Sequence, residues 1–142
     1  MHELAYAEWL LAAVLDAADD RPIDSVTVRV GAMHAIVPDI LRFSFHLVSE
    51  GTPADGARLD IVEVPSTLFC PACGKTSAFQ PPVFECVYCR ISDIQISTGE
   101  EFSVDGIVLD DGKMVNPKRG PQDSFLAHMK AHLEQEHQAP ER

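Results

Sequence analysis

Two short motifs, Cys70-Pro-Ala-Cys73 and Cys86-Val-Tyr-Cys89, contain all four cysteines of the 142-residue chain. Each C-x-x-C motif can present two thiolates on one side of a tight turn. Two such motifs can place four sulfurs at the corners of a tetrahedron, which is the geometry that Zn²⁺ adopts with thiolate ligands. The sequence therefore predicts a zinc site formed by Cys70, Cys73, Cys86 and Cys89, with one lobe of the protein folded around it.

The segment between the two motifs has too little apolar material to form a core of its own. Its apolar residues are Phe79, Pro81, Pro82, Val83 and Phe84. A structural zinc ion contributes roughly 10–16 kcal/mol in small sites, which is more than such a segment gains by packing. Gly74 follows the first motif, where a small residue lets backbone N–H groups turn toward the sulfurs, whereas the less typical Arg90 follows the second.

Other uses of the four cysteines fit the sequence less well. Two disulfides need an oxidising compartment, and the N-terminus has no signal-peptide pattern. A redox C-x-x-C needs one pair beside a βαβ pattern that is not found here. A closed four-thiolate site also leaves no coordination position for a substrate, so we expect a zinc-ribbon protein that is not an enzyme. Reduced cysteines without a targeting segment indicate the cytoplasm.

Composition excludes some partners. The chain has 22 acidic and 11 basic residues, for a net charge of −11. Nucleic acids and anionic membrane surfaces attract basic patches, so neither is expected as a partner. No apolar run approaches the roughly 20 residues that are needed to span a bilayer.

Hydrophobic periodicity predicts an α+β fold. Helices are expected from Leu4 to Ala18 and, opened by Pro38, from Asp39 to Ser49, with strands at 25–30, 58–64 and 101–109. The residues expected to be buried on the two helices are Leu4, Ala7, Leu11, Val14, Leu15 and Ala18, then Ile40, Leu41, Phe43 or Ser44, Leu47 and Val48. We expect the strands on either side of the zinc lobe to pair, and the two helices to cover one face of the small sheet.

The chain divides into three parts on this interpretation. Residues 1–65 and 98–109 form the α+β domain, residues 66–97 form the inserted Cys₄ zinc ribbon, and residues 110–142 form a linker and an extra C-terminal helix that begins near Asp123. His128 and His132 share a face of this helix and are candidates for an additional weak metal site, with a solvated polar face as the alternative. The linker and the apolar face of the helix are compatible with a homodimer that exchanges this helix.

The first three residues, Met1-His2-Glu3, form a second candidate metal site. A free α-amine, a backbone amide and an imidazole can bind one ion together, and nitrogen donors in a plane suit Ni(II) or Cu(II) better than zinc. By itself this pattern is weak, because a histidine at the second position is most often accidental.

The opening Met1-His2-Glu3-Leu4-Ala5 resembles that of the HypA/HybF family of nickel chaperones for hydrogenase maturation. More segments resemble the family in the same order along the chain. They are Val30-Gly31-Ala32, Pro38-Asp39, Leu41-Arg42-Phe43, Gly51 to Leu59, Val64-Pro65, the two cysteine motifs and Gly99-Glu100-Glu101-Phe102. The resemblance covers residues 1–108.

The resemblance implies a two-lobed protein that holds Ni(II) through Met1, His2 and Glu3 and structural zinc through the ribbon. It also implies that the nickel passes to the large subunit of a [NiFe] hydrogenase, with the help of a HypB-type GTPase, and some relatives supply urease. The alternative is a diverged zinc-ribbon module for protein interaction that does not deliver nickel.

Two positions depart from the family pattern in the loop before the second helix. Val37 stands where an acidic residue often precedes the helix-opening proline, and His34 stands where a small polar residue is usual. His34 is therefore a candidate replacement metal ligand or partner-facing residue. The alternative for His34 is an exposed loop histidine.

Overall fold

The structure is a computed structural model that describes residues 2–117. Met1, the predicted C-terminal helix, His128 and His132 lie outside the described residues. The helices are α1 (Glu3–Ala18) and α2 (Pro38–Ser49), with a 3₁₀ turn at Ala32–His34. The strands are β1 (Ile23–Gly31), β2 (Arg58–Val64), β3 (Thr67–Phe69), β4 (Thr76–Ala78), β5 (Gln95–Thr98), β6 (Phe102–Leu109) and β7 (Met114–Val115).

Local chemistry explains where the two helices begin and end. α1 ends at Asp19, which adopts a left-handed conformation with φ of 52° and donates its N–H to the carbonyl of Asp16. Pro22 follows closely and cannot continue a helix. α2 begins at Pro38, because the fixed φ and missing N–H of proline suit the first helical position.

The main sheet has four strands in the order β2-β1-β6-β7. β1 pairs in parallel with β2 and antiparallel with β6. The prediction that the strands flanking the ribbon pair with each other is therefore wrong, since β1 lies between β2 and β6. The connection through α2 is the reason: a helical crossover places two consecutive strands side by side and parallel, which leaves the other edge of β1 for β6.

A short strand extends this sheet where the sequence indicated a linker. β7 pairs antiparallel with β6, with Ile107 opposite Val115. The turn between them includes Gly112 at φ of 87°, a backbone conformation that glycine adopts easily. A strand of two residues has no measurable periodicity, so the pattern could not reveal it.

Both helices cover one face of this sheet, as predicted, and the hydrophobic core lies between the two layers. α1 packs against α2 and β6, and α2 also contacts β2. The large side chains that are fully buried there are Leu10, Val14, Val26, Val28, Leu41, Phe45, Phe102, Ile107 and Leu109.

The buried side of each helix differs in part from the prediction. On α1, Leu4 is 50% exposed and Leu11 and Leu15 are only partly buried, whereas Tyr6 and Leu10 are buried. On α2 the buried residues are Leu41, Ser44, Phe45 and Ser49, while Ile40, Phe43 and Leu47 are exposed. Two apolar stripes with helical spacing exist on α2. Ser44 and Ser49 have small side chains and lie on the side of α2 that packs against the interior. A pattern of apolar residues ignores serines, so it does not show which of the two stripes is buried.

The ribbon contains its own three-stranded antiparallel sheet in the order β4-β3-β5. Its apolar cluster is small and consists of Leu68, Phe79 and the buried Cys70 and Cys86, with Met33, Ile94 and Ile96 packed against it. This agrees with the expectation that the ribbon depends on its metal site. Among the described residues, no helix is both long and apolar enough to cross a membrane.

Candidate metal centres

The four cysteines of the ribbon converge on one point. Their sulfur atoms all lie within 4.8 Å of one another. The Sγ–Sγ distance is 3.6 Å between Cys70 and Cys89 and 3.7 Å between Cys73 and Cys86. A tetrahedral zinc ion with Zn–S bonds of about 2.3 Å separates its sulfurs by about 3.8 Å, so the arrangement fits zinc.

The two cysteine motifs have the same backbone hydrogen-bond pattern. In the first, the N–H of Gly74 donates to the carbonyl of Cys70 at 2.7 Å, and the N–H of Cys70 donates to the carbonyl of Lys75 at 2.9 Å. In the second, the N–H of Arg90 donates to the carbonyl of Cys86 at 2.8 Å. Each turn needs a left-handed residue at its end, and Arg90 adopts this conformation at φ of 63° even though it is not glycine.

The thiol groups have unequal acidities. The backbone hydrogen bond from Cys89, together with that from Tyr88 at 3.4 Å, lowers the pKa of Cys86 to about 7. The amide of Ile91 acts to lower the pKa of Cys89, but burial and the neighbouring thiols raise it to about 11.

Four adjacent thiols therefore do not ionise together by themselves. A bound divalent cation offsets the repulsion between the thiolates. Four soft ligands around one point suit a structural Zn²⁺ and leave no open position for a substrate. Within residues 2–117, these cysteines are the one cluster of three or more potential metal ligands.

Two of the predicted nickel ligands, His2 and Glu3, lie at the start of α1. His2 is the N-cap residue of the helix and is exposed, and its carbonyl accepts a hydrogen bond from the N–H of Tyr6 at 3.2 Å. Glu3 is buried, and its Oε2 accepts a hydrogen bond from the N–H of Val37 at 3.0 Å. This hydrogen bond lowers the pKa of the Glu3 carboxyl. The structure thus places the side chain of Glu3 against the loop before α2, and His2 precedes it directly in the chain.

His34 is half-buried and makes specific contacts through both ring nitrogens. Its Nδ1 lies 2.8 Å from the hydroxyl of Tyr6, and its Nε2 lies 2.8 Å from the carbonyl oxygen of Glu100. A metal ion at His34 would have to displace one of these two partners. The arrangement therefore favours a role for His34 in joining chain segments.

Sequence reasoning did not identify Tyr6, Val37 or Glu100 as partners of the candidate site. Tyr6 could have been singled out as a buried tyrosine, since its hydroxyl needs a hydrogen-bond partner. No local signal marks Val37 or Glu100, because each contributes only a backbone group.

Comparison with known proteins agrees with this architecture. The family model described as "Hydrogenase/urease nickel incorporation, metallochaperone, hypA" matches residues 1–109. The hydrogenase maturation factor HypA of Chloroflexus aurantiacus is 39% identical over 108 residues, which covers 73% of this chain and 95% of that protein. The hydrogenase maturation factor HypA of Chlorobium limicola is 35% identical, over 79% of this chain and 99% of that protein.

A solved structure shares the fold. The solution structure of the nickel metallochaperone HypA from Helicobacter pylori superimposes with a TM-score of 0.55 at 22% identity, covering 75% of this chain and 96% of that one. The family match spans both candidate metal centres and most of the chain, while the C-terminal part of the chain lies beyond it. The chain belongs to the HypA family of metallochaperones for nickel incorporation into hydrogenase and urease.

Proposed function

We propose that this protein carries Ni(II) at its N-terminus and delivers it to the large subunit of a [NiFe] hydrogenase during maturation. The nickel ligands would be the Met1 amine, His2 and Glu3, and a HypB-type GTPase would act with the protein. The observation that carries this proposal is the position of His2, exposed at the start of α1 and directly followed by the buried, hydrogen-bonded Glu3.

A metallochaperone has to select its ion and also release it. A chain terminus offers few donors and no closed cage, so a partner can approach the ion and replace its ligands one at a time. Nitrogen donors in a plane favour Ni(II) over the tetrahedral Zn²⁺. The closed four-cysteine site instead retains its ion, and the bound ion fixes the shape of the ribbon.

The proposal assigns one task to each part of the chain. Residues 1–65 and 98–109 carry the nickel, and residues 66–97 form the zinc ribbon. The protein binds and transfers an ion and does not catalyse a reaction. The unpaired cysteines support an action in the reducing cytoplasm.

Nickel titration of untagged, zinc-loaded protein tests the proposal. We expect one bound nickel in the wild type, loss of that binding in His2→Ala, and an unchanged zinc content in both. His46→Ala is the matched control, because His46 is an exposed histidine on α2. Equal nickel binding by His2→Ala and the wild type would contradict the assigned ligands. One tightly bound zinc without nickel binding in the wild type would favour the diverged zinc-ribbon module.

A further inference from the structure

The ribbon returns to the main sheet through residues 99–101, which we call the return segment. It lies against the end of β1 and the turn that follows. The N–H of Gly31 donates to the carbonyl of Glu101 at 2.6 Å, and the N–H of Met33 donates to the carbonyl of Gly99 at 2.9 Å. The side chain of Met33 also packs against the apolar cluster of the ribbon. Residues 31–34 are thus held against the end of the ribbon.

His34 connects this junction to α1. The carbonyl oxygen of Glu100 can only accept, so the Nε2 of His34 carries the hydrogen of their 2.8 Å contact. In the neutral ring, Nδ1 is then the acceptor for the hydroxyl of Tyr6, also at 2.8 Å. The hydroxyl of Tyr6 therefore donates the hydrogen of this contact.

Aromatic packing fixes the geometry of this bridge. The ring of Phe102 is fully buried, with its centroid 4.8 Å from Tyr6, 6.0 Å from His34 and 5.6 Å from Trp9. Phe102 directly follows the return segment and begins β6. Side chains that are confined in this way lose little further entropy when they form their hydrogen bonds.

The first turn of α1 is attached to the loop before α2 at two points. One is the contact of Tyr6 with His34, and the other is the hydrogen bond from Val37 to the carboxylate of Glu3. The N–H of Tyr6 in turn donates to the carbonyl of His2. The positions of the predicted nickel ligands thus depend on the position of residues 34–37.

We infer that His34 is a positioning residue, which through Tyr6 and Glu100 couples the zinc ribbon to the nickel-binding first turn of α1. Loss of zinc releases the order of the ribbon and its return segment, so Glu100 no longer holds His34, and the first turn opens more often. Donors that are less ordered bind nickel more weakly, because binding then includes the cost of ordering them. The inferred effect on nickel affinity rests on the proposed function. The inferred effect on the opening of the first turn of α1 does not.

Tyr6→Phe is the sharpest test, because it removes one hydroxyl and keeps the ring that packs on Phe102. Amide exchange of residues 6–9 is measured with and without zinc, relative to exchange at Val28 in the core strand β1. In the wild type, we expect zinc removal to speed the relative amide exchange of residues 6–9 by about fivefold. This factor corresponds to the net free energy of one hydrogen bond. In Tyr6→Phe, exchange should already be fast with zinc bound, and stripping should add nothing.

Two other variants complete the design. Ser97→Ala removes an exposed hydroxyl close to the return segment and should behave as the wild type. His34→Ala should behave as Tyr6→Phe. If the contact between Tyr6 and His34 only stabilised the fold, zinc removal would speed the relative amide exchange by the same factor in the wild type and in Tyr6→Phe. That result would overturn the inference. Exchange that rises equally in the first turn and at Val28 would overturn it as well.

Nickel affinity provides a second measurement on the same proteins. Zinc removal and Tyr6→Phe should each weaken nickel binding by about fivefold, and the two together should weaken it no further. Independent, multiplying effects would overturn the coupling. A wild type that binds no nickel would refute the proposed function, but the exchange measurement would still decide the role of His34.

Discussion

The carboxylate of Glu3 accepts a hydrogen bond from the backbone N–H of Val37 at 3.0 Å, and this contact joins the N-terminal ends of α1 and α2. Val37 is the N-cap residue of α2, and a valine side chain cannot accept a hydrogen bond from the helix. Glu3 instead supplies a negative charge next to the positive ends of both helix dipoles. A residue predicted to bind nickel thus also stabilises the fold.

Replacement of Glu3 should destabilise the protein. We expect Glu3→Ala to lower the free energy of unfolding by about 1–3 kcal/mol, because the N–H of Val37 loses a charged partner. Chemical denaturation measures this change, with the exposed Glu8→Ala as the control. Equal stability of the two variants would show that the contact contributes nothing.

The same contact should make stability depend on pH. The hydrogen bond from Val37 holds the pKa of Glu3 below its usual value of 4.5. The resulting stability is complete above the unfolded value and is lost as the pH falls through the lower folded value. The stability difference between the wild type and Glu3→Gln should therefore shrink below pH 4.5. A difference that stays constant down to acidic pH would contradict this.

The zinc site should control the order of the ribbon. Cys73→Ala removes one of four thiolates, and we expect zinc to be lost and amide exchange in residues 66–97 to rise steeply, because on the order of 10 kcal/mol of binding free energy orders this segment. Val28 in the main sheet should keep its protection. Metal analysis and hydrogen exchange test this against Ser92→Ala, which changes an exposed residue of the ribbon. A ribbon that stays protected without zinc would contradict it.

The close contact between β1 and the return segment should not tolerate a side chain. A Cβ added at Gly31 would overlap the carbonyl group of Gly99 and the backbone nitrogen of Glu101, neither of which can rotate away. We expect Gly31→Ala to cost about 1–3 kcal/mol in the free energy of unfolding. Gly106→Ala is the matched control, since its new Cβ would meet only the flexible end of Met114 at 4.0 Å. Similar losses in both variants would argue against the contact.

The two cysteine motifs should respond in opposite ways to changes at their left-handed residues. Gly74 has φ of 73° and Arg90 has φ of 63°. We expect Gly74→Ala to destabilise the ribbon and Arg90→Gly to stabilise it, each by about 1 kcal/mol, because a Cβ is strained in this conformation. The ion pair of Arg90 with Glu85 is exposed and offsets little of this gain. The rate of zinc loss to a chelator should rise for the first variant and fall for the second. Faster loss from Arg90→Gly would contradict the prediction.

Much of this fold could be predicted because it depends on interactions between near neighbours in the chain. The cysteine spacing predicts the four ligands, since each pair needs only one turn. Pro22 and Pro38 mark helix ends through their own fixed backbone geometry. The structure confirms the predicted α+β class, with an inserted ribbon and with two helices on one face of the sheet.

The predictions of buried residues and of strand pairing were wrong where the local sequence fits two arrangements equally well. The residues predicted to be buried on α2 included Phe43 or Ser44 and left out Phe45. Packing against α1 and the sheet instead buries Ser44 and Phe45 and leaves Phe43 exposed. The position of β1 between β2 and β6 likewise results from the crossover through α2, which no single strand encodes.

The four cysteine ligands follow from residue type and short spacing along the chain, because thiolates at these intervals can share one ion wherever the chain places them. The nickel ligands Met1, His2 and Glu3 remain a prediction, which rests on the resemblance to the family. The surroundings of those ligands arise from folding alone. Tyr6, His34 and Glu100 are far apart in sequence and meet because α1, the turn after β1 and the return segment pack around Phe102. Contacts between distant segments depend on the summed packing of the whole core, which no local pattern contains.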